Sequence, residues 1–398
     1  MCNGTIMDKL ISFSIPLMLS GILQLMFNAV DIVVVGRFSG SQALAAVGST
    51  TALINVFTNL FIGISLGANV LAARYYAAGK TKEMLETVHT AIALALVSGV
   101  AMAVIGVVFA RGALEIMGTP DDVIAKSTLY MRIYFCGMPF FMMYNYGAAI
   151  LRAVGDTKRP LIFLIVSGVI NAVLNLFLVI VFHLDVAGVG IATVISQLVS
   201  CILVLRCLHH TESSYQLHLA KLRIRSVYLK QIFEVGVPAG IQSTVINISN
   251  AMLQSSVNSF GSIAMAGYTA SNNIFGFLYV SVNSFTQACM SFTSQNYGVK
   301  KLKRMDRVLI DCMILSVVVT LILGSSVYIF GPELLHIYSN QADVIKYGME
   351  IFSYTTVTYF LCGLMDLFPG ALRGMGYSTV PMILSIIGTV GVRIIWIY

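Results

Sequence analysis

Long apolar segments dominate this sequence and restrict the folds it can adopt. Apolar runs of about 18 to 30 residues recur throughout the 398 residues, and a run of that length can cross a bilayer as a helix. In addition, 58% of the residues are hydrophobic and only 10% are charged, whereas soluble domains carry about 25% charged residues. The runs lack the alternation of an outer-membrane barrel. The sequence therefore predicts an all-α polytopic membrane protein.

The apolar runs predict eleven membrane helices. Their expected bounds are residues 11–36, 45–73, 87–111, 124–151, 160–183, 188–206, 230–257, 264–292, 308–329, 342–371 and 381–398. The first run is too long for the core of a signal peptide, so it is counted as a helix.

The basic residues lie mainly at one end of these predicted helices. If the N-terminus is cytoplasmic, 18 of the 24 Lys and Arg residues fall on the inner side, as the positive-inside rule requires. The net charge of +7 therefore reflects topology and does not indicate nucleic-acid binding. We expect a multi-pass, monomeric protein of the inner (cytoplasmic) membrane, in contact with lipids and with a cytoplasmic N-terminus.

An internal repeat relates the two halves of the chain. The segment AILRAVGDTKRP at 149–160 resembles GALRGMGYSTVP at 370–381, which lies 221 residues later. We predict two pseudo-symmetric six-helix lobes, 1–206 and 230–398, joined by a charged cytoplasmic linker, 207–229. Parallel repeats of this kind are used by transporters around a central site.

The second lobe is expected to be incomplete. The 221-residue offset aligns Tyr398 with Phe177, which lies inside the fifth helix of the first lobe. The second lobe therefore lacks the end of its fifth helix and all of its sixth. This pattern predicts a twelve-helix parent with about fifty further residues, roughly enough for the missing helix and its connection.

One carboxylate interrupts the first apolar run. Asp31 lies in the stretch QLMFNAVDIVVVGRFSG, and an acid at the centre of a bilayer costs roughly 2.5 to 3.5 kcal/mol, which marks it as a candidate functional residue. Asn171 and Asn175 share one face of the fifth helix because they are four residues apart. Thr193 lies on the sixth helix at a similar depth, roughly 8 to 12 Å from the outer ends. We predict that these groups converge, although amides and hydroxyls also serve as interhelical contacts worth about 0.6 kcal/mol.

Over essentially its whole length the chain resembles the multidrug and toxic compound extrusion (MATE) family, specifically its bacterial DinF-like branch. The first-helix Asp of that family, followed by VGRFSG, matches Asp31, and its bending proline matches Pro16. The fifth-helix Asn and the sixth-helix Thr match Asn171 and Thr193. Asn175 departs from the pattern, because many relatives have a second Asp there.

The resemblance implies an antiporter rather than an enzyme, with cation coupling through the N-terminal lobe. The coupling ion would be H⁺ or Na⁺, and the single carboxylate favours a proton; no cofactor is expected, and no metal beyond a possible sodium ion at Asp31. The substrates would be small organic molecules, cationic and amphiphilic.

The second lobe contains two further charges in apolar segments, Asp366 and Arg393. Each is costly alone, so we expect them to pair. A second protonation or substrate site is the alternative.

The eighth predicted helix is rich in amides for a membrane segment, and polar side chains at that depth are expected to face a cavity. The residues predicted to line it are Asn272, Asn273, Asn283 and Gln287.

Two other functions fit part of this pattern. A lipid-linked oligosaccharide flippase would have a similar fold, but several basic residues are expected in its cleft and few are present. An intramembrane prenyl or glycosyl transferase needs clustered acids or a metal motif, and the sequence contains neither.

Overall fold

The computed structural model describes residues 1–397, apart from the side chains of Ser41, Ala52, Asn258 and Ile397. Within that range the regular secondary structure is helical and contains no strand. The helices are α1 (Met7–Phe38), α2 (Ser41–Ala77), α3 (Thr81–Ile116), α4 (Asp121–Cys136), α5 (Met138–Val154), α6 (Lys158–Leu176), α7 (Asp185–His210), α8 (Ser226–Asn258), α9 (Ser262–Gly298), α10 (Leu302–Ile329), α11 (Gly331–His336), α12 (Ala342–Gly374), α13 (Thr379–Ser385) and α14 (Val392–Ile397).

The predicted all-α polytopic fold is confirmed. Each predicted helix has a counterpart. Within the described residues eight helical spans, rather than the predicted eleven, are long and apolar enough to cross a membrane. The fourth predicted helix is divided into α4 and α5 at Gly137. Pro139 explains the division, because it has no N–H to donate to the carbonyl of Phe135. The last predicted helix, 381–398, ends at Tyr398, which lies outside the described residues.

The backbone preserves the predicted repeat. When the bounds of α2 (41–77) are shifted by 221 residues, they coincide with those of α9 (262–298). The first residue of α3 (81), shifted in the same way, coincides with the first residue of α10 (302). Gly40 and Gly261 begin α2 and α9 with φ values of 85° and 98°. At the next equivalent pair, Gly79 and Lys300 have φ values of 68° and 57°. Lys300 therefore adopts the left-handed conformation that glycine adopts in the first repeat, at a cost in strain.

The chain forms two compact units that differ from the predicted lobes. The N-unit is Leu19–Gly240, and the C-unit is Met1–Met18 with Ile241–Tyr398. The first half of α1 therefore belongs with the C-terminal repeat, and the first half of α8 belongs with the N-terminal repeat. The predicted boundaries, 1–206 and 230–398, followed the repeat in the sequence, whereas packing exchanges these two half-helices.

In the N-unit, glycines explain why the first half of α8 packs on α2. Gly63 and Gly67 are four residues apart on α2, and Gly236 and Gly240 are four apart on α8. A Cβ atom on any of them would approach the backbone of the other helix to under 3.0 Å. Small residues at this spacing let membrane helices meet backbone to backbone.

In the C-unit, large side chains hold the first half of α1. Leu10, Phe13 and Leu17 are buried in a cluster with residues of α9, α10 and α12. The rings of Phe13 and Phe292 meet edge to face, with centroids 5.6 Å apart. Beyond Met18 the same helix continues into the N-unit, two residues after Pro16.

Candidate functional site

The N-unit brings the four predicted polar side chains into one hydrogen-bonded row. Asn175 donates from Nδ2 to Asp31 Oδ1 and to Asn171 Oδ1, the latter at 3.2 Å. Asn171 Nδ2 lies 3.5 Å from Thr193 Oγ1, which donates to the carbonyl of Val189 at 2.9 Å. The row joins α1, α6 and α7.

Close packing beside the row sets its geometry. Gly168 lies one turn before Asn171 on α6, and a Cβ there would overlap the ring of Phe27 on α1. Phe27 is one turn before Asp31, so the absence of a side chain at Gly168 lets α1 and α6 approach at this level. Asn171 and Asn175 are both buried.

The helix that carries the two amides changes its geometry directly after them. Two residues beyond Asn175, α6 continues as a π-helix over Phe177–Val181. Short π-helical turns inside α-helices occur frequently at functional sites. The wider turn therefore begins at the level of the polar row.

Asp31 has no ion-pair partner in the part of the chain that the structure describes. Among the residues that the structure describes, no Lys, Arg or His lies within ion-pair distance of its carboxylate. Its one hydrogen bond comes from Asn175, and the buried Oδ1 of Asn175 accepts no hydrogen bond. The row therefore contains a carboxylate without a counter-charge and a carbonyl oxygen with free lone pairs.

Two tyrosines that the sequence analysis missed lie on α4, which packs against α7. Tyr130 and Tyr134 are four residues apart on α4, and their ring centroids are 6.2 Å apart. A Cβ at Gly190, three residues before Thr193, would contact Ile133 and Tyr130. The i, i+4 spacing of two aromatic hydroxyls on a short membrane helix was the available signal.

The structure contains no ion pair between Asp366 and Arg393 among the described residues. Arg393 Nη1 donates to Ser249 Oγ at 3.1 Å and to Asn250 Oδ1 at 2.6 Å. Asp366 has no ion-pair partner in the described part of the chain. The partners of Arg393 are therefore a hydroxyl and an amide of α8.

The four amides of α9 that were predicted to line a cavity fall into two pairs. Asn272 and Asn273 are exposed, while Asn283 and Gln287 are half-buried and joined by a hydrogen bond of 2.9 Å. The lining of a cavity by these residues remains a prediction.

Comparisons with known proteins agree on one family. A profile of the MatE family matches residues 16–177 and 238–398. The chain is 30% identical to the probable multidrug resistance protein YoeA of Bacillus subtilis, covering 96% of this chain and 84% of that protein. It is 21% identical to the multidrug export protein MepA of Staphylococcus aureus, covering 97% and 85%.

A solved structure shares the fold. It is described as the outward-facing conformation of a multidrug resistance MATE family transporter of the MOP superfamily. It superposes with a TM-score of 0.91 at 20% identity, over 96% of this chain and 86% of that one.

Proposed function

The chain belongs to the MatE family, and on that premise we propose that it is an antiporter that exports organic compounds in exchange for an inward-moving proton or sodium ion. The family predicted from the sequence is confirmed, and its members are transporters rather than enzymes. The names of the relatives, which describe multidrug resistance and export, support an exporter over a lipid-linked oligosaccharide flippase.

The unpaired carboxylate of Asp31 is the observation that carries cation coupling. A charged acid within a membrane helix is unfavourable unless it is neutralised. A proton or a metal cation can neutralise it, and so can a cationic substrate. If the ion and the substrate stabilise different conformations, the site links their movements through a coupling free energy.

The hydrogen-bond directions favour a proton as the coupling ion. Asn175 directs an N–H group at Asp31, and the same nitrogen donates to Asn171 Oδ1. A sodium ion needs several oxygen ligands, so this amide would have to turn its Oδ1 toward the carboxylate. A proton can bind Asp31 without that rearrangement.

Pro16 supplies the point at which α1 can bend. It lies inside the helix and has no N–H to donate to the carbonyl of Ser12. Neutralising Asp31 removes a charge from the part of α1 that lies in the N-unit. We propose that this change shifts α1 between straight and bent forms.

We propose that the substrates are cationic amphiphiles and that the exporter is a monomer of the cytoplasmic membrane with a cytoplasmic N-terminus. The exposed amides Asn272 and Asn273 support a water-accessible surface on α9, because amides facing lipid tails are costly. The basic loops support the orientation.

The test uses inverted membrane vesicles and a fluorescent cationic dye. Vesicles with an acidic interior should accumulate the dye, because protons leaving the lumen drive its entry. A sodium gradient of equal size is the comparison. Asp31→Asn imitates the protonated acid at nearly constant volume, so it should insert normally and abolish gradient-driven uptake. Asn175→Ala and Thr193→Ala should reduce uptake less.

Asp366→Asn is the matched variant, because it removes another carboxylate that lacks an ion pair among the described residues. With equal amounts of protein, only Asp31→Asn should lose the response to the ion gradient. Parental dye uptake by Asp31→Asn would reject the mechanism.

A further inference from the structure

A groove with basic and apolar walls lies between the ends of α6 and α7. Its volume is about 630 Å³, and its walls include Arg159 and Phe163 of α6 and Leu203, Arg206 and Cys207 of α7. Arg159 is the second residue of α6, and Arg206 lies four residues before the end of α7. Both therefore lie at the predicted cytoplasmic ends of membrane helices, at the level of lipid headgroups.

The two guanidinium groups retain donors for an anion. The Nε atom of Arg159 forms an ion pair with Asp156 Oδ2 at 2.9 Å, and its Nη1 donates to Cys207 Sγ at 3.3 Å. The Nη2 group is therefore available for an anion. Arg206 has no side-chain partner in the described part of the chain. His210 and Glu212 complete the ionisable lining, and both are exposed.

The apolar wall continues toward the interior of the bilayer. Ile162, Val166 and Val169 follow Arg159 at helical spacing on α6, with exposed fractions of 54%, 39% and 56%. On α7, Ile202 lies one turn before Arg206 and is 52% exposed. Residues three, four or seven apart share a helix face, so exposed apolar surface extends along both helices from the guanidinium groups.

The repeat shows that the fold does not require an arginine at position 159. The equivalent residue of the second repeat is Val380, which lies 221 residues later and is 55% exposed. The same structural position is thus compatible with an apolar side chain facing the membrane. The basic group at 159 is a feature of one repeat.

We propose that this groove binds the phosphate headgroup of an anionic phospholipid of the cytoplasmic leaflet, with the acyl chains along the exposed faces of α6 and α7. Arginine binds phosphate oxygens through paired N–H groups. Basic pockets between membrane helices on the cytoplasmic side are suited to such headgroups. The inference depends on the proposed orientation, but it does not depend on the coupling ion or the exported compound.

The first test leaves the sequence unchanged. The full chain is placed in nanodiscs of phosphatidylcholine, with or without 20% phosphatidylglycerol, and treated with N-ethylmaleimide. Cys207 lies against Arg159 in the groove, so bound phosphatidylglycerol should slow its alkylation about fivefold. Cys2, also half-buried but outside the groove, should react at the same rate in both nanodiscs. Equal rates for Cys207 would overturn the proposal.

Inorganic phosphate separates the two sources of the anion. It is added at 10 mM to phosphatidylcholine nanodiscs. If it protects Cys207 as well as phosphatidylglycerol does, the groove is a site for free phosphate and the lipid proposal is rejected.

The second test measures lipid retention by native mass spectrometry of the detergent-purified chain. Arg159→Gln combined with Arg206→Gln should reduce retained phosphatidylglycerol about tenfold without changing retained phosphatidylcholine. Lys82→Gln with Lys303→Gln removes the same charge from exposed residues and should retain the parental amount. Equal losses in both double variants would indicate general charge attraction and reject the groove. Dye uptake in phosphatidylcholine vesicles checks independently whether transport persists.

Discussion

The close contact between α2 and α8 predicts that one added methyl group has a large effect on the free energy of unfolding. Gly67 of α2 lies against the carbonyl of Ile232, and a Cβ at this position would come closer than 3.0 Å to that oxygen. Ordinary contact begins at 3.4 Å, and the obstacle is backbone rather than a flexible side chain. Gly67→Ala therefore requires the first half of α8 to move away from α2.

A second glycine of the same helix supplies the control. Gly48 has no heavy atom within 4 Å of an added Cβ. Both substitutions replace a helical glycine by alanine, and each should gain roughly 0.8 to 1 kcal/mol of helix propensity. Only Gly67→Ala adds overpacking, which costs about 1 to 3 kcal/mol. The difference in unfolding free energy between the two variants should therefore be about 1 to 3 kcal/mol, with Gly67→Ala the less stable.

The assay is reversible unfolding in mixed micelles, with circular dichroism as the signal and the midpoint converted to a free energy of unfolding. Gly48→Ala should be at least as stable as the parent. If Gly67→Ala is as stable as Gly48→Ala, the backbone contact between α2 and α8 is not present in the protein and the composition of the N-unit has to be revised.

Three further experiments test other contacts. Lys300→Gly should stabilise the chain by about 1 kcal/mol because it removes the cost of a positive φ, whereas Lys300→Ala should not; thermal unfolding distinguishes them. A double-mutant cycle on Arg393 and Asn250 should give a coupling of about 1.5 to 3 kcal/mol, as expected for a charged hydrogen bond, while the cycle on Arg393 and Asp366 should be additive within about 0.5 kcal/mol. His89→Phe removes hydrogen bonds to the carbonyl of Leu85 and from the backbone of the linker, so trypsin should cleave residues 211–225 faster than in the parent; an unchanged rate would contradict that role.

The existence of the helices could be predicted from hydropathy, but their ends could not. The third helix was expected to begin at residue 87, whereas α3 begins at Thr81. The additional residues include charged, good helix formers such as Lys82 and Glu83, which a membrane-spanning pattern does not register. The helix extends beyond the apolar run for this reason.

The exchange of half-helices could not be predicted from the repeat. Sequence similarity shows which residues of the two repeats are equivalent. It does not show whether a half-helix packs with its own repeat or with the other one. The decisive features are pairwise, such as the glycines of α2 opposite those of α8. The same limitation applies to the predicted pairing of Asp366 with Arg393, since opposite charge was used where the hydroxyl of Ser249 and the amide of Asn250 contact the arginine.

The candidate site was easier to predict from the sequence because two independent patterns constrain it. The i, i+4 spacing of Asn171 and Asn175 fixes a shared face, and similar depth on neighbouring helices places Asp31 beside it. The direction of each hydrogen bond depends on side-chain rotamers and could not be predicted. Tyr130 and Tyr134 were missed because they lie on a helix whose apolar pattern resembles ordinary packing.

The two repeats preserve the scaffold but not the polar row. In the second repeat the positions equivalent to Asp31, Asn171 and Asn175 hold Met252, Val392 and Trp396, which lack carboxylate and amide groups. The C-unit instead links Arg373 to Gln242 at 2.5 Å and Gln242 to Ser385 at 2.8 Å, at different positions of the repeat. Duplication can supply the symmetric helices needed for alternating access. The proposed coupling requires only one site with different ion affinities in the two conformations, so a second copy of the row is unnecessary.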